Sequence, residues 1–369
     1  MANKYLFTPG PTPVPEQVVQ RMSEPIIYHR SKEFREIFAQ VNGYLQTLFQ
    51  TKQPVMTLTS SGTGGMEAII VNLFSAGDKV ISVNAGKFGE RWSAIGKSYG
   101  LNVVEIKIPW GETVAVPQII EALSIHPDTK GVLLTHCETS TGTTTDVKSV
   151  AEVVQKYSNA LVIVDGISAI GALEFRFDEW GIDACVTASQ KGLMIPPGLT
   201  FIALSNRAEQ SALVSTLPKY YFDLNKSLIA YENNDTPWTP AITLVRGLEK
   251  SLQMLTAEGM GNVWMRHERI SKILHEGLTG LGLKIFSKNP SFCVTAVFLP
   301  DGIEWDNFNS QLLNEHNIII APGQAEYFGK IFRIAHIGNI DDSNIKIILS
   351  AIEIILGRMH DERTKREIQ

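Results

Sequence analysis

Apolar and polar positions alternate along the first two thirds of the chain with the periods of strands and helices. Short apolar, β-branched runs recur at residues 80–83, 103–106 and 131–135, and a helical pattern follows each of them. A further run at residues 161–165 is followed by the run that begins at Ala184. A helix ending at Phe49 is predicted to carry its apolar residues on one face: Phe34, Ile37, Phe38, Val41, Leu45 and Leu48. This alternation predicts an α/β fold whose large domain has a mostly parallel sheet flanked by helices.

The pattern also divides the chain into three parts. Prolines between residues 7 and 15 exclude a helix or a central strand, so residues 1–20 are predicted to be an N-terminal arm lying on the body or on a partner. Residues 21–255 form the predicted large domain, and residues 256–369 a small C-terminal α+β domain. Within the large domain, residues 218–240 are aromatic and irregular, as is typical of a binding or interface segment.

Two ionisable residues follow neighbouring apolar strands. Asp165 ends the run at residues 161–165, and Lys191 comes just after the run that begins at Ala184. Parallel neighbours would place both side chains at the carboxyl edge of the sheet, where α/β proteins bind ligands. A pyridoxal phosphate enzyme needs this pair, a lysine for the Schiff base and a carboxylate facing the pyridinium nitrogen. Taken alone, Lys191 is better explained as a surface lysine, and its neighbours reverse that interpretation.

Polar residues at the ends of other strands converge on the same edge. A turn at residues 60–65, followed by a helix from Met66, would offer free backbone N–H groups to an anion. The turn has neither the GxGxxG nor the GxxxxGK[ST] spacing, which argues against dinucleotide or nucleoside triphosphate binding. Other residues expected at this edge follow further strands: Phe88 and its neighbours, residues 139–141, and residues 190–191.

Composition narrows the classes of protein further. The 369 residues carry a net charge of -5, which argues against a nucleic-acid or anionic-membrane partner. No apolar run approaches the roughly 20 residues of a membrane helix, and the first residues lack the apolar core of an export signal. The chain has three cysteines, which lie far apart, so we expect reduced thiols and a cytoplasmic location. No metal-ligand spacing occurs, so we expect no bound metal.

With these clusters in view, the chain resembles the class V, fold type I pyridoxal phosphate aminotransferases. Within them it is similar to the alanine–glyoxylate and serine–glyoxylate (serine–pyruvate) branch. The resemblance runs nearly from end to end and depends on ordered motifs: residues 8–11, 61–64, 136–142, 164–165, 189–191, 196–198 and 332–334.

The resemblance implies a role for each residue around the cofactor ring. Lys191 would form the Schiff base and move the substrate proton, and Asp165 would pair with the ring nitrogen. Phe88 lies at the ring-stacking position, where relatives often have tryptophan, and Ile167 would pack on the opposite ring face. Thr139 would contact the ring hydroxyl or the pyridine edge.

The resemblance also implies the anion contacts. Arg333 would bind the substrate α-carboxylate with its two-pronged guanidinium, the alternative being a structural ion pair. Gly10 would add a backbone contact to the same substrate. The implied phosphate contacts are Ser61, Gly62, Thr63 and Gln190.

A homodimer with shared active sites is implied as well. In the family, a threonine and a tyrosine of the partner subunit complete each phosphate site. Thr236 matches the threonine, whereas the position of the tyrosine is occupied by Asn233. Tyr231 is the nearest tyrosine, and we include it as a candidate.

The expected reaction is a ping-pong transamination from a small amino acid, alanine or serine, to glyoxylate. Aminoethylphosphonate–pyruvate and ureidoglycine–glyoxylate transamination remain alternatives within the same fold. A cysteine desulfurase would need a reactive cysteine on a mobile loop, whereas Cys293 lies in an apolar strand pattern. A scaffold subunit of a larger complex is the alternative that is not an enzyme.

Overall fold

The computed structural model describes the backbone of residues 4–368 and the side chains of residues 4–359. Helices and strands are numbered in chain order. The helices are α1 Glu16–Met22, α2 Lys32–Phe49, α3 Gly62–Leu73, α4 Lys87–Ser98, α5 Val116–Ile125, α6 Val147–Tyr157, α7 Asn206–Val214, α8 Leu224–Tyr231, α9 Ile242–Glu258, α10 Met260–Gly280, α11 Trp305–His316 and α12 Asp342–Ile368. The strands are β1 Tyr5–Leu6, β2 Val55–Thr59, β3 Lys79–Asn84, β4 Asn102–Lys107, β5 Gly131–Thr135, β6 Cys137–Glu138, β7 Thr143–Thr144, β8 Leu161–Asp165, β9 Ala184–Ala188, β10 Leu199–Leu204, β11 Val294–Phe298, β12 Ile318–Ile319, β13 Ala321–Pro322 and β14 Ile331–Ala335.

A seven-stranded sheet organises the N-terminal two thirds of the chain. Its strand order is β2-β10-β9-β8-β5-β3-β4. The pairs within β9-β8-β5-β3-β4 are parallel, and β10 runs antiparallel to both β9 and β2. This arrangement confirms the predicted α/β class with a mostly parallel sheet.

Apolar residues cover both faces of this sheet. One cluster packs α2, α5, α6 and α9 on one face, and another packs α3 and α7 on the opposite face. In α2 the six apolar residues predicted to share one face are all buried. Burying such side chains stabilises the fold by about 1.5–3 kcal/mol each.

The C-terminal part forms a three-stranded sheet, β11-β14-β13, with its own apolar cluster. Helix α10 contributes to both cores, since Val263 packs with the large sheet and Ile270 with the C-terminal cluster. The limits 1–20, 21–255 and 256–369 stay predictions, and residues 1–3 and 369 lie outside the described residues. None of the helices that the structure describes is both long and apolar enough to cross a membrane.

The N-terminal arm lies on the body of its own chain. Strand β1 pairs in parallel with β12, and the Phe7 carbonyl accepts a hydrogen bond from Ala335 N at the end of β14. Further on, Thr12 donates from its backbone N–H to the Gln190 carbonyl and from its hydroxyl to the Lys191 carbonyl. The arm therefore joins the C-terminal sheet to the segment that carries Lys191.

Two local predictions were wrong. Helix α3 begins at Gly62 rather than Met66, because its small residues let it approach the sheet closely. A Cβ on Gly65 would lie 2.5 Å from Thr200 Oγ1. Helix α8 lies inside the segment predicted to be irregular, where the Asp223 carboxylate accepts hydrogen bonds from the first N–H groups of the helix and Leu224 is buried.

Candidate active site

Lys191 and Asp165 meet at the carboxyl edge of the sheet, as the strand order requires. Strands β8 and β9 are parallel neighbours with Asp165 opposite Val186, and Lys191 follows β9 in a short turn. Both side chains are buried. The charge of each shifts the pKa of the other, so the two groups interact electrostatically at this edge of the sheet.

The N-terminal arm closes over the Lys191 amine. Lys191 Nζ donates a hydrogen bond to the Pro9 carbonyl. Gly10 adopts a φ of +140°, and a Cβ at this position would lie 2.6 Å from Nζ. Only glycine combines that backbone conformation with such a close approach. Burial lowers the pKa of Lys191 to about 8, against the opposing effect of Asp165, so the amine loses its proton more easily than a surface lysine.

The Asp165 carboxylate is buried with few compensating contacts. Ile167 N donates a hydrogen bond of 2.8 Å to Asp165 Oδ1. Burial raises the pKa of Asp165 to about 7, while this hydrogen bond and the charges of Arg91 and Lys191 lower it. A buried carboxylate of this kind is stabilised by a cationic partner that donates a hydrogen bond to it.

The lowered pKa of Lys191 gives the cofactor-free protein a specific pH dependence. Between about pH 8 and 10.5 the unfolded chain binds the lysine proton more tightly than the folded one, so the free energy of unfolding rises with pH. Relative to Lys191→Met, the wild type should gain about 3 kcal/mol across this window. Urea unfolding at several pH values measures the difference. Parallel pH profiles of the two proteins would contradict the assignment, and the exposed Lys272→Met is the control.

The first turn of α3 lies beside this pair. Ser61 is the N-cap residue, but its side chain makes no cap hydrogen bond. Gly62 packs against Ile167 and Ala188, since a Cβ on Gly62 would lie 2.5 Å from Ile167 Cδ1. The first N–H groups of a helix have no partner within the helix, so this turn is suited to an anion.

Glu138 positions Phe88, and sequence reasoning missed it. The Glu138 carboxylate accepts hydrogen bonds of 3.0 Å from Phe88 N and Gly89 N in the first turn of α4. It also accepts from the backbone and hydroxyl of Ser140. Gly86, the N-cap residue of α4, has no capping side chain. The buried carboxylate therefore takes over the capping role and fixes the position of Phe88.

Arg333 is a buried guanidinium that forms no ion pair with the side chains that the structure describes. Its Nε donates to the Pro322 carbonyl at 2.9 Å, and Nη1 donates to the Thr139 carbonyl at 2.8 Å. Burial lowers the pKa of Arg333 to about 10, against the charge of Glu138. Arg333 is therefore placed next to Thr139 with hydrogen-bonding capacity to spare for an external carboxylate.

The remaining predicted residues divide into two groups. Gln190 lies between the arm and Lys191, with its carbonyl bonded to Thr12 N. Thr236, in contrast, is bonded within its own loop, through its hydroxyl to the Trp238 carbonyl at 2.7 Å. Tyr231 is the last residue of α8, and Asn233 Nδ2 donates back to the Ile229 carbonyl. The hydrogen bonds of this loop do not join it to the Lys191 site of the same chain.

Comparison with known proteins decides the family. The sequence model described as "Aminotransferase class-V" matches residues 4–330. The chain belongs to the class-V aminotransferase family. It is 35% identical over 359 residues to an L-aspartate–glyoxylate aminotransferase of Paracoccus denitrificans, covering 95% of this chain and 91% of the relative. The predicted family is thereby confirmed.

Two further similarities bear on the function. A protein of Synechococcus sp. named "Soluble hydrogenase, small subunit" is 38% identical over 358 residues, covering 96% of this chain and 93% of that protein. The crystal structure of an alanine–glyoxylate aminotransferase from Nostoc sp. superposes with a TM-score of 0.91 at 29% identity, and the match covers 96% of each chain. The fold of this aminotransferase is therefore that of solved members of the family.

The cofactor of this aminotransferase is pyridoxal 5′-phosphate, and the site fits it. Asp165 is a buried carboxylate that would face the ring nitrogen, and Lys191 is a buried amine with a lowered pKa. The uncapped first turn of α3 is suited to the phosphate. When bound, the cofactor supplies a protonated pyridine ring that accepts the electrons released at the reacting carbon.

Proposed function

We propose that this aminotransferase moves an amino group from a small amino acid, alanine or serine, to glyoxylate by a ping-pong mechanism. The observation that carries the proposal is the approach of Lys191, Asp165 and Arg333 to one another at one edge of the sheet. Two similar proteins are named as glyoxylate aminotransferases, which supports glyoxylate as the amino acceptor. An aminotransferase takes an amino acid and a 2-oxo acid in turn, so one carboxylate site serves both substrates.

The residues have distinct tasks in this proposal. Arg333 holds the α-carboxylate of either substrate, which orients the Cα–H bond toward Lys191. Lys191 would then remove the proton from Cα of the amino donor and, in the half-reaction with glyoxylate, deliver a proton to Cα of the new amino acid. Its lowered pKa leaves part of the amine unprotonated near neutral pH, as this proton transfer requires. Asp165 would accept a charge-assisted hydrogen bond from the protonated ring nitrogen, and this positive charge would keep the carboxylate ionised against the effect of its burial.

The other predicted residues hold the cofactor in place. Phe88, fixed through Glu138, would stack on one ring face, and Ile167, which lies beside Gly62, would pack on the opposite face. Thr139 contacts the ring edge, and the backbone at Gly10 contacts the substrate. The phosphate contacts within the subunit are Ser61, Gly62, Thr63 and Gln190.

Initial rates of glycine formation from glyoxylate test the reaction. Alanine, serine and aspartate are each varied at several glyoxylate concentrations, and parallel double-reciprocal lines are expected for alanine or serine. Aspartate is included because the Paracoccus relative is named for it. Turnover of only 2-aminoethylphosphonate with pyruvate, or of only ureidoglycine, would move the function to those alternatives.

We also propose a homodimer in which Thr236 and Tyr231 reach the active site of the partner subunit. The Thr236 hydroxyl donates within its own loop and the Thr236 carbonyl accepts from Arg30, so neither group bonds to the Lys191 site of its chain. The same region exposes large aromatic side chains, with Tyr220 71% accessible and stacked on Trp238. Exposed aromatic surface of this kind is typical of an interface.

Heterodimers test this sharing directly. Thr236→Val should lower activity about tenfold by removing one phosphate contact, and Lys191→Ala should be inactive. When the two variants are unfolded and refolded together, half of the dimers are mixed, and each has one complete site. Activity should then return to about one quarter of the wild-type value. Recovery no greater than that of Thr236→Val refolded alone would show that Thr236 acts within its own subunit.

A subunit of a larger complex is the second candidate, favoured by the name of the Synechococcus relative. Among the described residues, no group of three or more His, Cys, Asp or Glu side chains could hold a metal ion. The buried Lys191 and Asp165 favour the enzyme.

The cytoplasmic location stays a prediction, supported by three buried free cysteines, Cys137, Cys185 and Cys293.

A further inference from the structure

Arg91 lies at the cofactor site without an assigned role. It is in α4, one turn after Phe88. Its Cζ lies 4.7 Å from the centre of the Phe88 ring, and its Nη1 donates a hydrogen bond of 3.1 Å to Thr63 Oγ1 in the first turn of α3. Long helical side chains lean toward the helix N-terminus, which accounts for this position over Phe88. One guanidinium therefore contacts a predicted ring-stacking residue and a predicted phosphate ligand.

The charge of Arg91 is not used in an ion pair with any carboxylate that the structure describes. The lysines of the same helix differ, since Lys87 pairs with Glu90 and Lys97 pairs with Glu105. The positive charge of Arg91 also lowers the pKa of both Asp165 and Lys191. Arg91 is therefore close enough to act electrostatically on the reaction centre.

The proposed phosphate contacts contain no cation. Ser61, Gly62, Thr63 and Gln190 offer neutral hydrogen-bond donors, whereas the phosphate carries nearly two negative charges. A helix N-terminus offsets only a fraction of one charge. Arginine is well suited to this task, because its guanidinium keeps its charge and can bind a phosphate oxygen while another N–H group bonds elsewhere.

We propose that Arg91 is a cofactor-binding residue that supplies the positive charge for the phosphate at the first turn of α3, next to Thr63. This inference rests on the proposed function, because it places the phosphate at that turn. It predicts that Arg91 distinguishes a phosphorylated ligand from the same ring without phosphate.

Titration of the cofactor-free protein tests this inference. Pyridoxal 5′-phosphate and unphosphorylated pyridoxal are each titrated into wild type, Arg91→Gln and Arg91→Lys. Arg91→Gln should raise the Kd of pyridoxal 5′-phosphate by about 10- to 100-fold and leave that of pyridoxal unchanged. Inorganic phosphate should compete with the cofactor in wild type and much less in Arg91→Gln. Arg91→Lys, which keeps the charge, should retain most of the affinity.

Controls separate this role from a structural one. Lys97→Gln removes a charge from the exposed side of the same helix and should bind both ligands like wild type. Arg91→Met keeps the apolar stem over Phe88 and should behave as Arg91→Gln does, with folding of each variant checked by circular dichroism. Equal weakening of pyridoxal and its phosphate would overturn the inference, as would unchanged binding of both. Wild type that binds no cofactor would instead overturn the proposed function.

Discussion

Replacing Lys191 by alanine should reduce amino transfer by about 10³-fold or more, because the substrate proton loses its acceptor and donor. The amine is buried, bonded to the Pro9 carbonyl and charge-coupled to Asp165. Single-turnover rates with alanine or serine measure the effect. The variant should still bind the cofactor phosphate, since the first turn of α3 is unchanged.

A matched control separates this loss from a general effect of removing a lysine. Lys272 is exposed on α10 and paired with Glu268, so Lys272→Ala should react at the wild-type rate. Added methylamine should partly restore Lys191→Ala by supplying an external base. A Lys191→Ala protein that transfers amino groups within tenfold of wild type would contradict the role of Lys191.

Arg333→Gln should lower kcat/KM for amino donor and acceptor alike by about 30- to 10³-fold, the cost of leaving a carboxylate without its buried charged partner. Arg333 already has two hydrogen bonds to carbonyl oxygens, so its position does not depend on the substrate. Both substrates present a carboxylate, and both KM values should therefore rise. Steady-state rates for each substrate measure these changes.

The specificity of this loss tests the carboxylate assignment. An amine that lacks the α-carboxylate should react equally slowly with wild type and Arg333→Gln. Arg269→Gln, which removes an exposed arginine paired with Asp342, should leave all rates unchanged. An equal loss for the amine and the amino acid would show that Arg333 supports the fold rather than the substrate.

Sequence pattern predicted the main sheet well because most of its strands are buried apolar runs and helices separate β2, β3, β4, β5 and β8 along the chain. It did not predict the direction of β10. All six residues of β10 are buried, and a strand buried on both faces reads the same in either direction. Helix α8 is short and lies in an aromatic segment, so the N-cap residue Asp223 was the only sequence signal for this helix. Such a cap alone is too common to outweigh the surrounding pattern.

The pair Lys191 and Asp165 could be predicted because strand order alone places the ends of β8 and β9 together. Glu138 and Arg91 could not, since their contacts join elements that are distant in sequence. Glu138 caps a helix whose Phe88 lies 50 residues before it, and Arg91 bonds to Thr63, 28 residues earlier. The one local signal was Gly86, a helix start without a capping side chain.

The most direct test of the central claim is the half-reaction of the purified protein with one amino acid. Reconstituted protein should show an absorbance band at roughly 410–430 nm from lysine-linked cofactor. Alanine or serine should bleach this band stoichiometrically, and glyoxylate should restore it with release of glycine. A protein that shows no band with cofactor supplied, or a band that no amino donor bleaches, would contradict the assignment of Lys191 and Asp165 as the centre of a transaminase.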